Sequence, residues 1–120
     1  MNRILLIDDD PLVLRSLSKL LEKECFQVIP CSSYQDALKA FQTNEFDLIV
    51  SDIRMPGKNG VETVSEIQSR LTESKKRDLP IIFITGYAEY SAELQAQFVG
   101  EILTKPVDSN HLIKTIRDYL

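Results

Sequence analysis

Four aspartates directly follow apolar segments of the sequence. Asp8, Asp9 and Asp10 come after the aliphatic run ILLI, and Asp52 comes after the apolar segment FDLIVS. Two unit charges about 4 Å apart interact by roughly 4 kcal/mol at an effective dielectric constant near 20. Several ionised carboxylates in one pocket therefore need a counter-charge or raised pKa values.

A hydroxyl and an amine follow two further apolar segments. Thr85 ends the segment Pro80–Thr85, and Lys105 follows the segment Glu101–Thr104. The Lys105 amine can offset one negative charge, and a divalent hard cation, which takes oxygen ligands, can offset two more. Mg²⁺ keeps several of its waters and bridges to phosphate oxygens. Together with the aspartates, these groups predict a Mg²⁺ site that handles a phosphoryl group.

Short aliphatic runs alternate with amphipathic segments from one end of the chain to the other. Runs this apolar are typical of strands in a parallel sheet that helices cover on each side. We therefore predict one α/β domain over residues 1–120, a doubly wound (βα)5 fold with the flavodoxin-like strand order 2-1-3-4-5. This order brings the aspartates and Lys105 to one edge of the sheet. The predicted strands are Arg3–Asp8, Phe26–Pro30, Phe46–Ser51, Pro80–Thr85 and Glu101–Thr104.

Helical periodicity predicts a helix after each strand. Pro11 suits the first turn of the first helix, which Asp10 can cap and which runs to about Lys23. Ser32 or Ser33 is expected to cap the second helix. The other predicted helices are one that carries Val61, Val64, Ile67 and Leu71, one over Ala88–Phe98 and a closing one over Asp108–Leu120.

The composition is that of an ordinary globular domain, and it argues against several kinds of partner. Of the 120 residues, 43% are hydrophobic, and the formal net charge is −4 with the basic residues spread along the chain. This argues against direct nucleic-acid binding. No apolar run approaches a membrane span and no leader is visible, so we expect a cytoplasmic protein. Cys25, Cys31 and His111 form no metal-ligand pattern, and we expect two free, buried thiols in a reducing compartment.

Four motifs taken together resemble one known family. They are Asp8-Asp9, the block DIRMPGKNG that begins at Asp52, the segment IIFITG and the segment LTKP. In this order and at this spacing they resemble the receiver (response-regulator) domains of two-component signalling over essentially the whole chain. The block DxxMPxxxG is moderately specific alone, whereas four such blocks at four strand ends are a strong signal.

The resemblance implies a role for each residue of the acidic edge. Asp52 would accept a phosphoryl group from a phosphohistidine of a sensor histidine kinase or phosphotransfer protein. Asp8, Asp9, Asp52 and the backbone carbonyl of Arg54 would hold Mg²⁺, which would shield the acceptor's charge. The protein would then be a regulatory phospho-acceptor that catalyses only its own phosphotransfer and dephosphorylation.

Other positions would read or time the phosphorylation. The resemblance implies that Thr85 and Lys105 contact the phosphoryl group, with a cis bond before Pro106, and that Thr85 reports phosphorylation by moving. Bulky residues at Arg54 and Tyr87 would slow hydrolysis of the acyl phosphate. Receiver domains usually carry Tyr or Phe at the position of Ile102, which predicts a remodelled output surface.

The resemblance also predicts macromolecular partners. The kinase is expected to dock on the first helix, Leu12–Lys23. An output domain or a homodimer partner would read the phosphorylated state, the latter through the face formed by helix 4, strand 5 and helix 5.

Two other classes of protein share part of this pattern. A haloacid-dehalogenase-like phosphatase would use Asp8 as nucleophile and Asp10 as acid or base, but it needs a further acidic motif after Lys105. Only Asp108 and Asp118 follow, and neither ends an apolar strand. A receiver-like module that binds partners without phosphorylation is the second alternative, and such modules typically lose one of the acidic or lysine residues that this chain keeps.

Overall fold

The computed structural model describes residues 2–52, 65, 66, 69, 79–85 and 100–120. The five strands are Arg3–Ile7 (β1), Gln27–Cys31 (β2), Leu48–Asp52 (β3), Ile81–Thr85 (β4) and Gly100–Thr104 (β5). The helices with defined bounds are Pro11–Lys23 (α1), Tyr34–Thr43 (α2) and Ser109–Tyr119 (α3). The predicted loop 53–60 and the helices predicted within 61–71 and 88–98 lie outside these residues, except that Ser65, Glu66 and Ser69 are helical.

All strand pairs are parallel, and the strand order is β2-β1-β3-β4-β5. This confirms the predicted flavodoxin-like order. The register pairs Ile7 of β1 with Ser51 of β3, and Asp52 of β3 with Ile84 of β4. The carboxyl ends of β1 and β3 therefore lie side by side at one edge of the sheet.

The predicted strand bounds differ from the observed ones by one or two residues. The largest difference is in β3, which begins at Leu48 instead of Phe46. Asp47 lies just before β3 and makes two hydrogen bonds to the backbone of Arg3. Its N–H donates to the Arg3 carbonyl at 2.8 Å, and its carboxylate accepts the Arg3 N–H at 2.8 Å. Likewise, Asp108 is the N-cap of α3 and not its first residue.

Both faces of the sheet are buried, as expected for strands without a polar alternation. Side chains of successive residues point to opposite faces, so each strand supplies both layers of the core. One layer holds Leu5, Ile7, Ile49, Ile81 and Phe83 with residues of α2. The other holds Ile4, Leu6, Leu48, Val50, Ile82 and Ile84 with residues of α1 and α3.

The outer strand β2 carries a proline on its open edge. The Cys31 carbonyl accepts the Asp8 N–H at 3.1 Å, and the Gln27 N–H donates to the Asn2 carbonyl at 2.9 Å, so these backbone groups face the β1 side. By alternation, Val28 and Pro30 face outward. Because proline has no N–H, the outward edge of β2 lacks a donor at Pro30.

Helix α1 has a regular start and an irregular residue after its end. Asp10 caps it by accepting the Leu12 N–H, with Pro11 in the first turn, as predicted. Beyond the end, Cys25 has a φ of 70°, and the Cys25 and Phe26 N–H groups donate to the carbonyls of Glu22 and Leu21. This double hydrogen bond is a Schellman motif, with cysteine where glycine is usual.

The two cysteines differ in exposure. Both are free, as predicted, but only Cys31 is buried, and the prediction of a buried Cys25 is wrong. Cys25 lies in the turn after α1 and not within an apolar element, which explains its exposure. None of the helices in the described part of the chain has the length and apolar character that a bilayer crossing requires.

Candidate functional site

Three aspartates from two strand ends meet at one edge of the sheet. Asp8 follows β1, Asp9 comes next, and Asp52 is the last residue of β3. One carboxylate oxygen from each lies within 4.8 Å of the other two. Asp8 and Asp52 are buried, and Asp9 is exposed. The parallel register of β1 and β3 is what brings these residues together.

Lys105 is the cation of this acidic edge. Its Nζ donates a hydrogen bond to Oδ2 of Asp52 at 3.1 Å and lies 3.7 Å from Oδ2 of Asp8. The residue directly follows β5, and the bond between Lys105 and Pro106 is cis, as the motif had indicated. The lysine thus contacts both buried carboxylates and is shared between them.

The hydrogen bonds of the loop after β1 give Asp8 and Asp10 different roles. The Asp8 N–H is fixed to the Cys31 carbonyl, and the Asp8 carboxylate accepts the Asp10 N–H at 2.9 Å. The Asp10 carboxylate accepts the Leu12 N–H at 2.9 Å and so caps α1. A phosphatase that used Asp10 as acid or base would need a free Asp10 carboxylate. Here that carboxylate is engaged in capping α1.

The charges of the site are not balanced. Among the described residues, Asp8, Asp9 and Asp52 carry three formal negative charges, and Lys105 supplies one positive charge. Burial raises the pKa of Asp8, and the charges of Asp52 and Asp9 raise it further, against the opposing effects of the Asp10 N–H and Lys105. Burial lowers the pKa of Lys105, but its hydrogen bond to Asp52 and the charge of Asp8 outweigh this, and the net pKa is raised.

The donor atoms of this cluster fit a hard divalent cation. All three are carboxylate oxygens, which Mg²⁺ and Ca²⁺ prefer, and Mg²⁺ is commonly bound through one or two carboxylates while it keeps waters. A cation would also offset the charges of Asp52 and Asp9, which, after burial itself, raise the pKa of Asp8. The chemistry of the donor set therefore agrees with the predicted Mg²⁺ site.

The remaining predicted residues are described in part. Arg54 and Tyr87 lie outside the described residues. Thr85 is the last residue of β4 and pairs with Thr104 of β5, which places its backbone at the same edge of the sheet. Ile102, where an aromatic residue was expected from the resemblance, is half-buried in β5 and packs against the core layer of Phe83.

A groove beside Lys105 was not predicted as a feature of the site. It has a volume of about 570 Å³, and Leu12 at its rim is 69% exposed. Leu12 lies outside the apolar stripe of α1 that includes Leu17 and Leu21. A leucine outside this stripe is the feature of the sequence that could have indicated the groove. The groove is lined by Leu12, Val13, Ser16, Leu17, Ile84, Lys105, Pro106 and Val107.

Comparison with known proteins identifies relatives over nearly the entire chain. Residues 4–117 match the family described as the response regulator receiver domain. Protein PilH of Pseudomonas aeruginosa is 30% identical over 122 residues, which cover 100% of this chain and 98% of PilH. The transcriptional regulatory protein GlrR of Escherichia coli is 33% identical over 119 residues, covering 98% of this chain but only 26% of GlrR. The chain thus spans about a quarter of that relative.

Solved structures of another relative have the same fold. The response regulator protein TrrA of Thermotoga maritima, in complex with Mg²⁺-BeF, has a TM-score of 0.86 and 32% identity over 100% of both chains. In a complex of TrrA with the histidine kinase ThkA, the TM-score is 0.83 at 31% identity over 100% of this chain and 99% of that one. With the family match over residues 4–117 and a common strand order, the chain belongs to the response regulator receiver domains.

Proposed function

We propose that this domain accepts a phosphoryl group on Asp52 from a phosphohistidine of a histidine kinase or phosphotransfer protein. The observation that carries the proposal is the position of the Asp52 carboxylate at the end of β3. It is hydrogen-bonded to Lys105 at 3.1 Å and lies beside the carboxylates of Asp8 and Asp9. The similarity to TrrA, which is known with Mg²⁺-BeF and with a histidine kinase, supports it.

The proposed chemistry is nucleophilic attack by a carboxylate. An Asp52 oxygen forms a bond to phosphorus while the bond from phosphorus to the donor imidazole nitrogen breaks. The imidazole leaves with the electron pair of that bond and takes a proton, and Asp52 becomes an acyl phosphate. Lys105, already in contact with Asp52, would donate to a phosphoryl oxygen and offset its charge.

Asp8, Asp9, Asp52 and the backbone carbonyl of Arg54 are the proposed Mg²⁺ ligands. Bound Mg²⁺ supplies positive charge to the acceptor and to the phosphoryl oxygens. The chain's own contribution is to hold these oxygens together: the Asp8 carboxylate is fixed by the Asp10 N–H, and Asp52 by its place in β3. Loss of any one carboxylate is expected to weaken Mg²⁺ binding.

The donor protein is proposed to dock on α1 and along the groove beside Lys105. The groove runs from Leu12 to Val107 and has Lys105 in its wall, so a helix that lies there is next to the acceptor. The exposed Leu12 supplies an apolar contact at its rim. An output domain or a second copy of the chain would read the result, since relatives such as GlrR extend far beyond the matched region.

Thr85 and Lys105 are proposed to contact the phosphoryl group, and Arg54 and Tyr87 to slow its hydrolysis. The position of Thr85 as the last residue of β4 supports its part in this proposal. The conformational change that follows from Thr85 would differ from that of most receiver domains, because Ile102 has no aromatic ring that could reorient. The lifetime of the acyl phosphate in the wild type, Arg54→Ala and Tyr87→Ala tests the hydrolysis proposal, and equal lifetimes would contradict it.

Acetyl phosphate with Mg²⁺ is the direct test of the acceptor. The wild-type protein should gain one phosphoryl group by intact mass spectrometry, and Asp52→Asn should gain none. Asp47→Asn is the matched control, because Asp47 directly precedes the opposite end of β3 and its carboxylate accepts the Arg3 N–H. The phosphatase alternative instead predicts turnover that Asp8→Asn abolishes, and the binding-module alternative predicts that no variant is phosphorylated.

A further inference from the structure

Ser51 is a buried polar residue next to the proposed phospho-acceptor. It is 0% exposed, and its strand neighbours in register are Ile7 and Phe83, both buried. Successive side chains of a strand point to opposite faces, so Ser51 points into the apolar layer away from the Asp52 side chain. Its hydroxyl donates to the backbone carbonyl of Asp52 at 2.9 Å.

That hydrogen bond lies just beyond the last residue pair of the β1–β3 ladder. The Ile49 N–H donates to the Pro80 carbonyl, so the backbone groups of Ile49 face β4. By alternation, the carbonyl of Asp52 faces β1. The ladder between these strands ends at the pair Ile7 and Ser51.

Beyond this pair, β1 supplies no further hydrogen-bond donor to β3. Because the Asp8 N–H donates to the Cys31 carbonyl of β2, the next N–H that could face β3 is that of Asp9. Neither this N–H nor any other backbone N–H of the described residues donates to the Asp52 carbonyl. The Ser51 hydroxyl takes the place of the missing ladder donor. It reaches this carbonyl from within the buried layer that surrounds Ser51.

We propose that Ser51 is a positioning residue: its hydroxyl holds the peptide after Asp52, and thereby the Asp52 carboxylate, in the orientation that Mg²⁺ and phosphoryl binding require. The inference rests on the proposed function of Asp52. Without the hydroxyl, the Asp52 carbonyl has no hydrogen-bond donor among the described residues. The peptide can then rotate toward the solvent at the acidic edge, since a buried carbonyl without a donor is unfavourable.

Three substitutions separate the hydrogen bond from packing. Ser51→Cys keeps the shape of the side chain but replaces the hydroxyl by a larger group that is a weak donor. Ser51→Ala removes the donor, and Ser51→Thr keeps it while adding a methyl group. Ser18→Ala is the matched control, because Ser18 is a buried serine in α1, away from the acidic edge, and its hydroxyl has no hydrogen-bond partner among the described residues.

The Mg²⁺ dissociation constant, measured by calorimetry in reducing buffer, is the main readout. A single hydrogen bond suggests a loss of about fivefold in Mg²⁺ affinity for Ser51→Ala and Ser51→Cys. The rate of phosphorylation by acetyl phosphate should fall with it. Ser51→Thr should stay within about twofold of the wild type, and so should Ser18→Ala. Thermal unfolding in EDTA checks that each variant folds.

The pattern across the variants decides the inference. Wild-type Mg²⁺ affinity in Ser51→Cys would overturn it, because that variant keeps the shape of the side chain and replaces the strong donor by a weak one. This comparison stands even where the added methyl group of Ser51→Thr disturbs the core. If the wild type itself bound no Mg²⁺ and gained no phosphoryl group, the proposed function of Asp52 would fail first, and the role of Ser51 with it.

Discussion

Replacing Asp8 by asparagine should stabilise the metal-free protein at neutral pH. Asp8 is 2% exposed, and its carboxylate oxygen lies within 4.8 Å of those of Asp9 and Asp52. The substitution removes one buried negative charge from a cluster of described residues in which three carboxylates face the single positive charge of Lys105. It keeps a side-chain oxygen that can still accept the Asp10 N–H.

The magnitude follows from the distances in the site. At a separation of no more than 4.8 Å and an effective dielectric constant of about 20, the repulsion between Asp8 and Asp52 is at least about 3.5 kcal/mol. The attraction of Asp8 to Lys105 at 3.7 Å opposes it, but solvent screens this pair because the Lys105 side chain is 33% exposed. With the desolvation of Asp8 added, we expect a net gain of about 1 kcal/mol in the free energy of unfolding.

The pH dependence has a definite sign. The pKa of Asp8 in the folded protein is raised above its ordinary value of 3.8. Above the folded-state pKa, Asp8 is ionised in both states and its charge opposes folding. As the pH falls through that pKa, the folded state takes up the proton first and the penalty disappears. The advantage of Asp8→Asn should therefore be full at neutral pH and vanish below about pH 3.8.

Urea denaturation in EDTA and in Mg²⁺ provides the assay. In EDTA at neutral pH, Asp8→Asn should unfold at higher urea than the wild type. At Mg²⁺ tenfold above its dissociation constant, the wild type should gain about 1.4 kcal/mol, and the order should reverse if the variant binds poorly.

The control for Asp8→Asn is Asp10→Asn, which removes the same charge two residues away. Asparagine caps helices as well as aspartate does, so this variant should change stability little. A metal-free Asp8→Asn protein that is no more stable than the wild type would refute the electrostatic reasoning. So would an equal gain in Asp10→Asn, which would reflect net charge alone.

Three further predictions concern residues away from the acidic edge. Cys25→Gly should raise stability by about 1 kcal/mol in urea denaturation, because glycine adopts the left-handed conformation without penalty; a loss would contradict the Schellman turn. Ser18→Ala should also stabilise, by about 1 kcal/mol, because it removes a buried hydroxyl without a partner among the described residues, and a destabilised variant would show that this hydroxyl is satisfied. Burial raises the pKa of Cys31 to about 11, so at pH 8 a disulfide reagent should label Cys25 alone until the protein unfolds, and rapid labelling of both thiols would contradict the burial of Cys31.

The strand order and the acidic cluster were predictable because they depend on local patterns. Apolar runs without alternation identified all five strands, and the parallel arrangement then placed their polar ends together. Asp8, Asp9, Asp52 and Lys105 accordingly meet as expected. The capping role of Asp10 followed from its position before a proline, which is also a local signal.

Other features depend on tertiary neighbours that the sequence does not record. The groove exists because Leu12 of α1 faces the segment after β5, which is far away in sequence. The Ser51 hydroxyl bonds the Asp52 carbonyl where the β1–β3 ladder has ended and no backbone N–H of the described residues donates to it. Cys25 is exposed because it lies in the turn that ends α1. Such a turn usually contains glycine, which would have made it predictable, but here the position is a cysteine.

Pro30 bears on how copies of the chain behave when they are crowded. An open sheet edge invites a strand from another molecule, and natural proteins guard such edges against aggregation. The outward backbone positions of β2 are Val28 and Pro30, and only the first has an N–H to offer. A second copy that aligned along this edge would find one donor where an ordinary strand presents two. Growth of the sheet past β2 is thus disfavoured, and the domain can be abundant in the cell without lengthening its sheet from that side.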